Sequence, residues 1–409
     1  MRILSITQSY APFYEFGGPP VKVEALARGL VTRGHQVTVL TADWGLEKRL
    51  AGDRTAESAK CTPFGWSREV EGVESVYLPT WTHYRAISWN PAVRQFCGVR
   101  LPDFDIAHIF GLYDLLGPAV ARACRKQNIP YVAEPIGMFV PIVRNIFLKR
   151  IYHAALGRQM LQGAAAIIAT AEQEEQELAD GGIPRRKIFL RRNGVVTPRE
   201  LPARGQFRAK HKIPRDAHLI LFLGRLSAKK SPDLLLDAFA QLPGVIGDRA
   251  VWLAFAGPDE AGMQNRLCEM AAAAGVKERV FFRGAIFGNE KWSAYCDADV
   301  FVLPSQNENF GNTALEAAGC GTPVVITETC GVAPLLGGTA GIVVPHETGA
   351  VTQAVKKVLS DAELRSALSG GGKAAAGGLG WDQPVRAMEK LYEKLAAQRP
   401  TVGQSASQG

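Results

Sequence analysis

Two glutamates close the segment Glu308-Asn309-Phe310-Gly311-Asn312-Thr313-Ala314-Leu315-Glu316, with a Phe-Gly turn between them. An apolar run, Val300 to Leu303, precedes the segment, and small residues from Asn312 to Gly319 suit a helix. A strand that feeds a helix through a tight loop presents unpaired N–H groups to phosphate or sugar oxygens. Glu316, about one turn into that helix, can accept hydrogen bonds from a ribose diol. Glu308, in the loop, can reach a hexose.

A second set is cationic. Gly224-Arg225-Leu226-Ser227-Ala228-Lys229-Lys230-Ser231 follows a strand-like run and precedes a helix-like one. Arg225 can chelate two oxygens and Lys230 acts as a point charge, which is what a departing diphosphate requires. Near the start, Gly17-Gly18-Pro19-Pro20 opens another helix, where glycine lets the backbone approach a ligand and proline suits the first turn. His108 falls in an apolar strand and reads either as a core histidine or as a ligand contact. Asn193-Gly194 reads either as a turn or as a wall of the site. Two Asp-x-Asp triplets, Asp103/Asp105 and Asp297/Asp299, invite comparison with metal-holding pairs. Both precede a strand, the end away from an α/β ligand site, so we expect structural roles and no metal.

The elements that position these groups read as strand, loop and helix in repetition. Apolar runs at 3–7, 37–41, 73–78, 106–110, 131–133 and 166–169 alternate with helix patterns, and a second series follows at 219–223, 252–256, 280–283, 300–303 and 324–326. Such alternation predicts parallel sheets covered by helices. At 409 residues the chain exceeds one ordinary α/β core, and a Pro/Arg/Gly/Lys-rich stretch at 196–214 suits an interdomain linker. The stretch 44–66 reads as an irregular surface excursion, and the tail 398–409 as disordered. Two doubly wound halves would face a cleft at the C-terminal ends of both sheets.

Hydrophobic content of 47% with 21% charged residues describes a soluble globular protein. No apolar run reaches the length of a membrane span, and the first residues enter a strand pattern directly, unlike a signal peptide. Seven cysteines, none in a Cys-x-x-Cys pair, argue against zinc and for reduced thiols in a cytoplasmic protein. The net charge of +8 lies mostly in the first half, which suits an anionic partner such as a membrane surface. No dense basic block with interleaved aromatics points to nucleic acid. Residues 141–160 mix Arg144, Lys149, Arg150, His153 and Arg158 with aliphatics. They can be drawn as a basic amphipathic helix for a membrane surface or as ordinary core packing.

Together these segments resemble the retaining nucleotide-sugar glycosyltransferases of the GT-B fold, family 4. Gly17-Gly18 resembles that family's N-terminal glycine loop, and Gly34-His35-Gln36-Val37-Thr38-Val39 its Gly-His-x-Val-x-Val strand. Gly224-Arg225-Leu226 with Lys230 resembles its phosphate element, and Glu308 to Glu316 its Glu-x7-Glu signature. The resemblance implies an α/β chain of two Rossmann-like doubly wound domains, 1–197 for the acceptor and 198–380 for the donor, with a terminal helix at 381–397 crossing back to the first. It implies no essential metal or cofactor, a nucleoside-diphosphate sugar as co-substrate, and a saccharide or lipid-linked saccharide acceptor. Arg225 and Lys230 would then contact the diphosphate, Glu316 the ribose, and Glu308 with the Asn309, Phe310, Gly311 and Asn312 backbone the donor sugar. Arg283-Gly284 would lie beside the nucleobase.

Two positions depart from the family. Ile136, in Glu134-Pro135-Ile136-Gly137-Met138, stands where relatives carry His or Arg, and Phe110 replaces a second histidine after His108. Neither side chain donates a hydrogen bond or titrates. A hexosyltransferase is the expected activity. An epimerase or hydrolase on the same architecture, and an inactive scaffold, are the alternatives.

Overall fold

The computed structural model describes residues 1–50, 59–84, 87–141 and 145–399. The chain divides into two compact units, Met1–Arg192 with the segment from Trp381 onward, and Asn193–Gly380.

The first unit holds strands β1 (Arg2–Ile6), β2 (Gln36–Ala42), β3 (Lys60–Thr62), β4 (Gly65–Val70), β5 (Val73–Leu78), β6 (Thr82–Tyr84), β7 (Ile87–Trp89), β8 (Ile106–Phe110), β9 (Tyr131–Glu134), β10 (Ala166–Ala169) and β11 (Ile188–Leu190). Its main sheet runs β11-β10-β9-β8-β1-β2-β5-β4-β3, while β6 and β7 form a separate antiparallel pair. The strands from β11 to β5 are parallel, and the β4–β3 hairpin closes the edge antiparallel. Alternate residues face opposite cores, as the strand period of two requires. Leu4, Ile6, Ala107 and Ile109 join one apolar cluster, and Ile3, Ile106 and Phe110 join the other. Such two-sided burial is why these strands read as continuous apolar runs.

The second unit holds β12 (His218–Leu223), β13 (Val245–Ile246), β14 (Arg249–Ala256), β15 (Val280–Gly284), β16 (Val300–Leu303), β17 (Val324–Thr327) and β18 (Gly341–Val344). The parallel order is β15-β14-β12-β16-β17-β18. The chain winds outward one way from β12 through β14 to β15, then returns to β16 and winds the other way. The topological switch therefore falls between β12 and β16, where an open α/β sheet leaves a crevice beyond its strand ends. In the first unit the equivalent switch lies between β1 and β8.

The helix Asp382–Ala397 belongs to the first unit. Its Val385, Met388, Tyr392 and Leu395 bury into the cluster on the Ile3 face. Glu389 is paired with Arg33 at 2.7 Å and His35 at 2.9 Å.

Two regions differ from the sequence reading. The 44–66 stretch holds the helix Leu46–Leu50 and the hairpin strand β3 instead of irregular chain; residues 51–58 lie outside the described residues. The 141–160 region is broken into the helix Ile146–Tyr152, a π-turn at His153–Gly157 and the helix Arg158–Gly163. Core packing accounts for its end, where Met160 is buried, while Ile146, Phe147, Leu148 and Ile151 are exposed, Phe147 to 74%. Arg144 and the tail from 400 lie outside the described residues.

Candidate functional site

In the second unit the loops after β12, β16 and β17 are bonded to one another. The Gln306 N–H donates to Lys229 O at 3.0 Å, which joins the β16 loop to the β12 loop. Glu308 N–H donates to Thr329 O at 3.0 Å, Gly331 N–H to Glu308 O at 2.9 Å, and Val332 N–H to Phe310 O at 2.7 Å. The Thr327 and Thr329 hydroxyls both donate to Ser305 O, at 2.7 and 2.6 Å. The Glu308–Gly311 loop is thus a fixed strip of backbone. A Cβ on Gly257 (φ 144°) would sit 1.8 Å from Gly224 O, so only glycine lets the β14 loop pass so close to the Gly224-Arg225 turn.

This frame brings Lys230 and Glu308 into contact as an ion pair, both side chains mostly enclosed. Burial drags the Lys230 ammonium down to about 7; Cys330 opposes this, and Lys229 and Arg225 add to it. The Glu308 carboxylate touching it favours the charged form. Arg225 is half exposed and lies 3.7 Å from Glu260, a surface pair of small energetic weight.

Glu316 lies one turn into the helix Asn312–Gly319, as its spacing predicts. Its carboxylate accepts from Tyr295 Oη and Lys291 Nζ, both at 2.9 Å. Neither partner was singled out from sequence, although their i, i+4 spacing on the helix Gly288–Asp297 places both on one face. Arg283 spends its guanidinium on Glu290, at 2.8 and 3.3 Å. Burial lifts the Glu290 carboxyl, but hydrogen bonds from Lys210, Arg283 and His211 outweigh it and hold it at about 2. Arg283-Gly284 therefore has its backbone, more than the Arg283 side chain, to offer a ligand. Phe310 is 2% exposed, so there too only the backbone is available. Asn193 Nδ2 donates to Asn312 Oδ1 at 3.3 Å, which ties the start of the unit to the helix that carries Glu316.

The Asp-x-Asp triplets are bound up in structure. Asp297 accepts from the Gly205 and Arg208 amides, and Asp299 from Arg204, Arg208 and the Leu219 amide. Asp105 accepts from the Arg2 amide at 2.7 Å, and Asp103 pairs with Arg2 at 3.4 Å.

In the first unit, Gly17 and Gly18 open the helix Gly18–Thr32 behind the β1 loop. Lys22, on that helix, turns inward to Glu134 at 2.5 Å, and Arg191 pairs with the same carboxylate. Burial raises the Glu134 carboxyl, but Arg191 and Lys22 overcome it and hold it well below the usual range. His108 lies 3.4 Å from Glu134, meets Tyr392 Oη at 2.6 Å and stacks on Phe110 at 3.8 Å. Burial pushes the imidazole down to about 4, so it is neutral at pH 7. His108 has no exposed surface. Of the two readings the sequence leaves open, the ligand-contact one is corrected: His108 is an interior partner of Glu134 and Tyr392. Phe110, 2% exposed, fills that interior.

Ile136 stands at the end of β9 in a tight turn closed by Met138 N–H to Pro135 O at 3.2 Å. Its φ is 56° and that of Gly137 is 64°. A β-branched residue in the left-handed region is strained by about 1–2 kcal/mol. Glu174, itself buried, accepts the Gly137 N–H at 2.6 Å and the Thr170 N–H at 2.9 Å, and so holds the turn. The Ile136 side chain packs on the cluster that contains Phe110.

Comparison with known proteins adds a family. Residues 203–375 match the family described as Glycosyl transferases group 1, and residues 17–194 match the Glycosyl transferase 4-like domain. A D-inositol 3-phosphate glycosyltransferase of Xylanimonas cellulosilytica is 31% identical, over 94% of this chain and 93% of its own length. A protein of the same name from Streptomyces bingchenggensis is 34% identical over 58% of this chain, and the match spans 54% of that relative. Among solved structures, Anabaena HepE in complex with UDP and glucose shares the fold at a TM-score of 0.71, with 18% identity over 97% of this chain and 100% of that one.

Proposed function

Because the chain belongs to the group 1 glycosyl transferases, with the two Rossmann-like domains of the GT-B fold, we propose that it moves a hexose from a nucleoside diphosphate to an acceptor hydroxyl with retention of anomeric configuration and without a metal. One observation carries this reading: Lys230 meets Glu308 at the switch point of the second sheet, with Glu316 one helical turn onward. Lys230 and Arg225 offset the charge that gathers on the diphosphate as the bond between the anomeric carbon and the phosphate oxygen breaks. The acceptor oxygen bonds to the anomeric carbon on the face the phosphate leaves, and its proton passes to the departing phosphate. The donor phosphates compete with Glu308 for the Lys230 ammonium, and Glu308 is then available to the hexose hydroxyls. Glu316, preset by Tyr295 and Lys291, accepts from the ribose. The solved complex of HepE with UDP and glucose supports a uridine donor as the first to try.

For the acceptor we favour a lipid-linked saccharide of a surface polysaccharide, met at an anionic membrane through the helix Ile146–Tyr152. That helix presents Phe147, Leu148 and Ile151 to solvent beside Arg150. The names of the relatives make an inositol phosphate the second acceptor to assay. Unpaired cysteines throughout the described residues suit a cytoplasmic location.

Replacing Lys230 with Ala tests the core of the proposal. Acceptor-dependent release of nucleoside diphosphate should drop about 10²–10³-fold with the unfolding midpoint little changed. Wild-type release in Lys230→Ala overturns the phosphate assignment. No donor-dependent release by the natural sequence leaves an inactive scaffold.

A further inference from the structure

The antiparallel pair β6–β7 stands off the main sheet, and with Trp81 just before it three large aromatic side chains meet solvent: Trp81 is 72% exposed, Tyr84 62% and Trp89 49%. Exposed aromatics grouped in this way on a soluble unit mark a recognition surface. The pair is held firmly. Trp81 N–H donates to Trp89 O at 3.1 Å, and the two indoles pack edge to face with centroids 5.7 Å apart. Asn90, buried just after β7, donates to Leu78 O, Pro79 O and Thr80 Oγ1 within 3.1 Å and accepts from Ser88 Oγ at 2.6 Å. Thr80 Oγ1 donates to Asp43 O at 2.6 Å. The aromatic rings therefore rest on a pinned backbone and need little ordering to bind.

The surface is continuous with the glycine loop. His83 of β6 packs edge-on against Trp44 at 5.5 Å, and Trp44 packs on Phe16 at 4.9 Å, next to Gly17. Trp44 Nε1 donates to Gln8 O in the loop after β1 at 2.9 Å. Rings thus run from β6–β7 to the loop at the switch point of the first sheet, where a doubly wound sheet binds its ligand.

The composition separates this surface from the helix Ile146–Tyr152. The helix combines aliphatic side chains with Lys149 and Arg150, a profile for anionic lipid. Strands β6 and β7 combine indole and phenol with Thr82, His83 and Ser88, and the sequence 81–90 holds a single basic residue, Arg85, between them. Flat apolar faces edged by neutral hydrogen-bonding groups match a sugar ring, which has apolar C–H faces and a rim of hydroxyls. We propose that Trp81 and Trp89 form a saccharide-binding platform that docks the sugar part of the acceptor. The proposal rests on the sugar-transfer reading and names the acceptor's chemistry within it.

The test uses the full chain saturated with UDP, so that the donor pocket is filled, and saturation-transfer NMR with the methyl glycosides of glucose, galactose, mannose and N-acetylglucosamine. Transfer to ring protons of at least one glycoside is expected. It should fall about fivefold or more in Trp81→Ala/Trp89→Ala, the scale of a lost aromatic contact. Trp81→Phe/Trp89→Phe should keep most of it. All three proteins should show the same thermal shift with UDP, which reports intact folding. No transfer from any of the four glycosides, or equal transfer in the Ala pair, overturns the platform. Loss of binding to phosphatidylglycerol vesicles in the Ala pair with sugar contact unchanged assigns the rings to lipid and also overturns it. Failure of the sugar-transfer reading would appear separately, as no donor-dependent nucleoside diphosphate release by the natural sequence.

Discussion

Glu316 offers the sharpest contrast between a group that is present and one that is aimed. Tyr295 and Lys291 fix its carboxylate before any ligand arrives, so little rotamer entropy is lost on binding. Glu316→Ala should weaken UDP binding by about 1.5–3 kcal/mol, the value of a charge-assisted hydrogen bond, read by titration calorimetry. Lys230 carries a pH signature. Its ammonium is lowered to about 7, so the charged fraction falls as pH rises through that value. A nucleoside-diphosphate sugar, whose phosphates do not titrate there, should bind up to about tenfold more weakly per pH unit above 7. Lys230→Arg, always charged, should flatten that profile. An affinity unchanged between pH 6.5 and 8.5 in the natural sequence would contradict it.

At the scale of elements, the Glu134 network joins the helix Gly18–Thr32, β8, β9 and the chain leaving β11 through one carboxylate. Removing it strands two buried cations. Glu134→Ala should destabilise the first unit by about 3–5 kcal/mol. Urea unfolding followed by hydrogen exchange should show the loss in β1, β8 and β9 and spare β12 to β18. This network also marks what the sequence could and could not disclose. The loops bearing Lys230 and Glu308, and the helix bearing Glu316, were legible because each follows an apolar strand whose period is local. Lys22, His108, Glu134 and Arg191 are far apart in the chain, and no local pattern announces their meeting. His108 was accordingly left open between core and ligand, and the structure assigns it to the interior. Lys291 and Tyr295 were missed because they act through Glu316, on a different helix.

For the whole molecule, charge and exposed apolar surface act together. The chain carries a net +8, no helix among the described residues is long and apolar enough to cross a membrane, and Phe147, Leu148 and Ile151 stand in solvent. Sedimentation with phosphatidylglycerol vesicles should therefore be strong at low salt and fade over a few hundred millimolar salt, as screening shortens the reach of the basic surface. Phe147→Asp should abolish it even at low salt, because apolar insertion is lost and a like charge is added. Binding that ignores both salt and Phe147 would assign the contact elsewhere.

The return of residues 382–397 to the first unit bears on the order of events at the ribosome. Synthesis delivers β1 to β11 first, yet one face of that sheet is completed by Val385, Met388, Tyr392 and Leu395. The second unit, made of the contiguous residues 193–380, can close while the earlier sheet still waits with part of its apolar surface uncovered. The half of the polypeptide that is translated first is thus the half that finishes last, its apolar face closed only when residues 382–397 arrive.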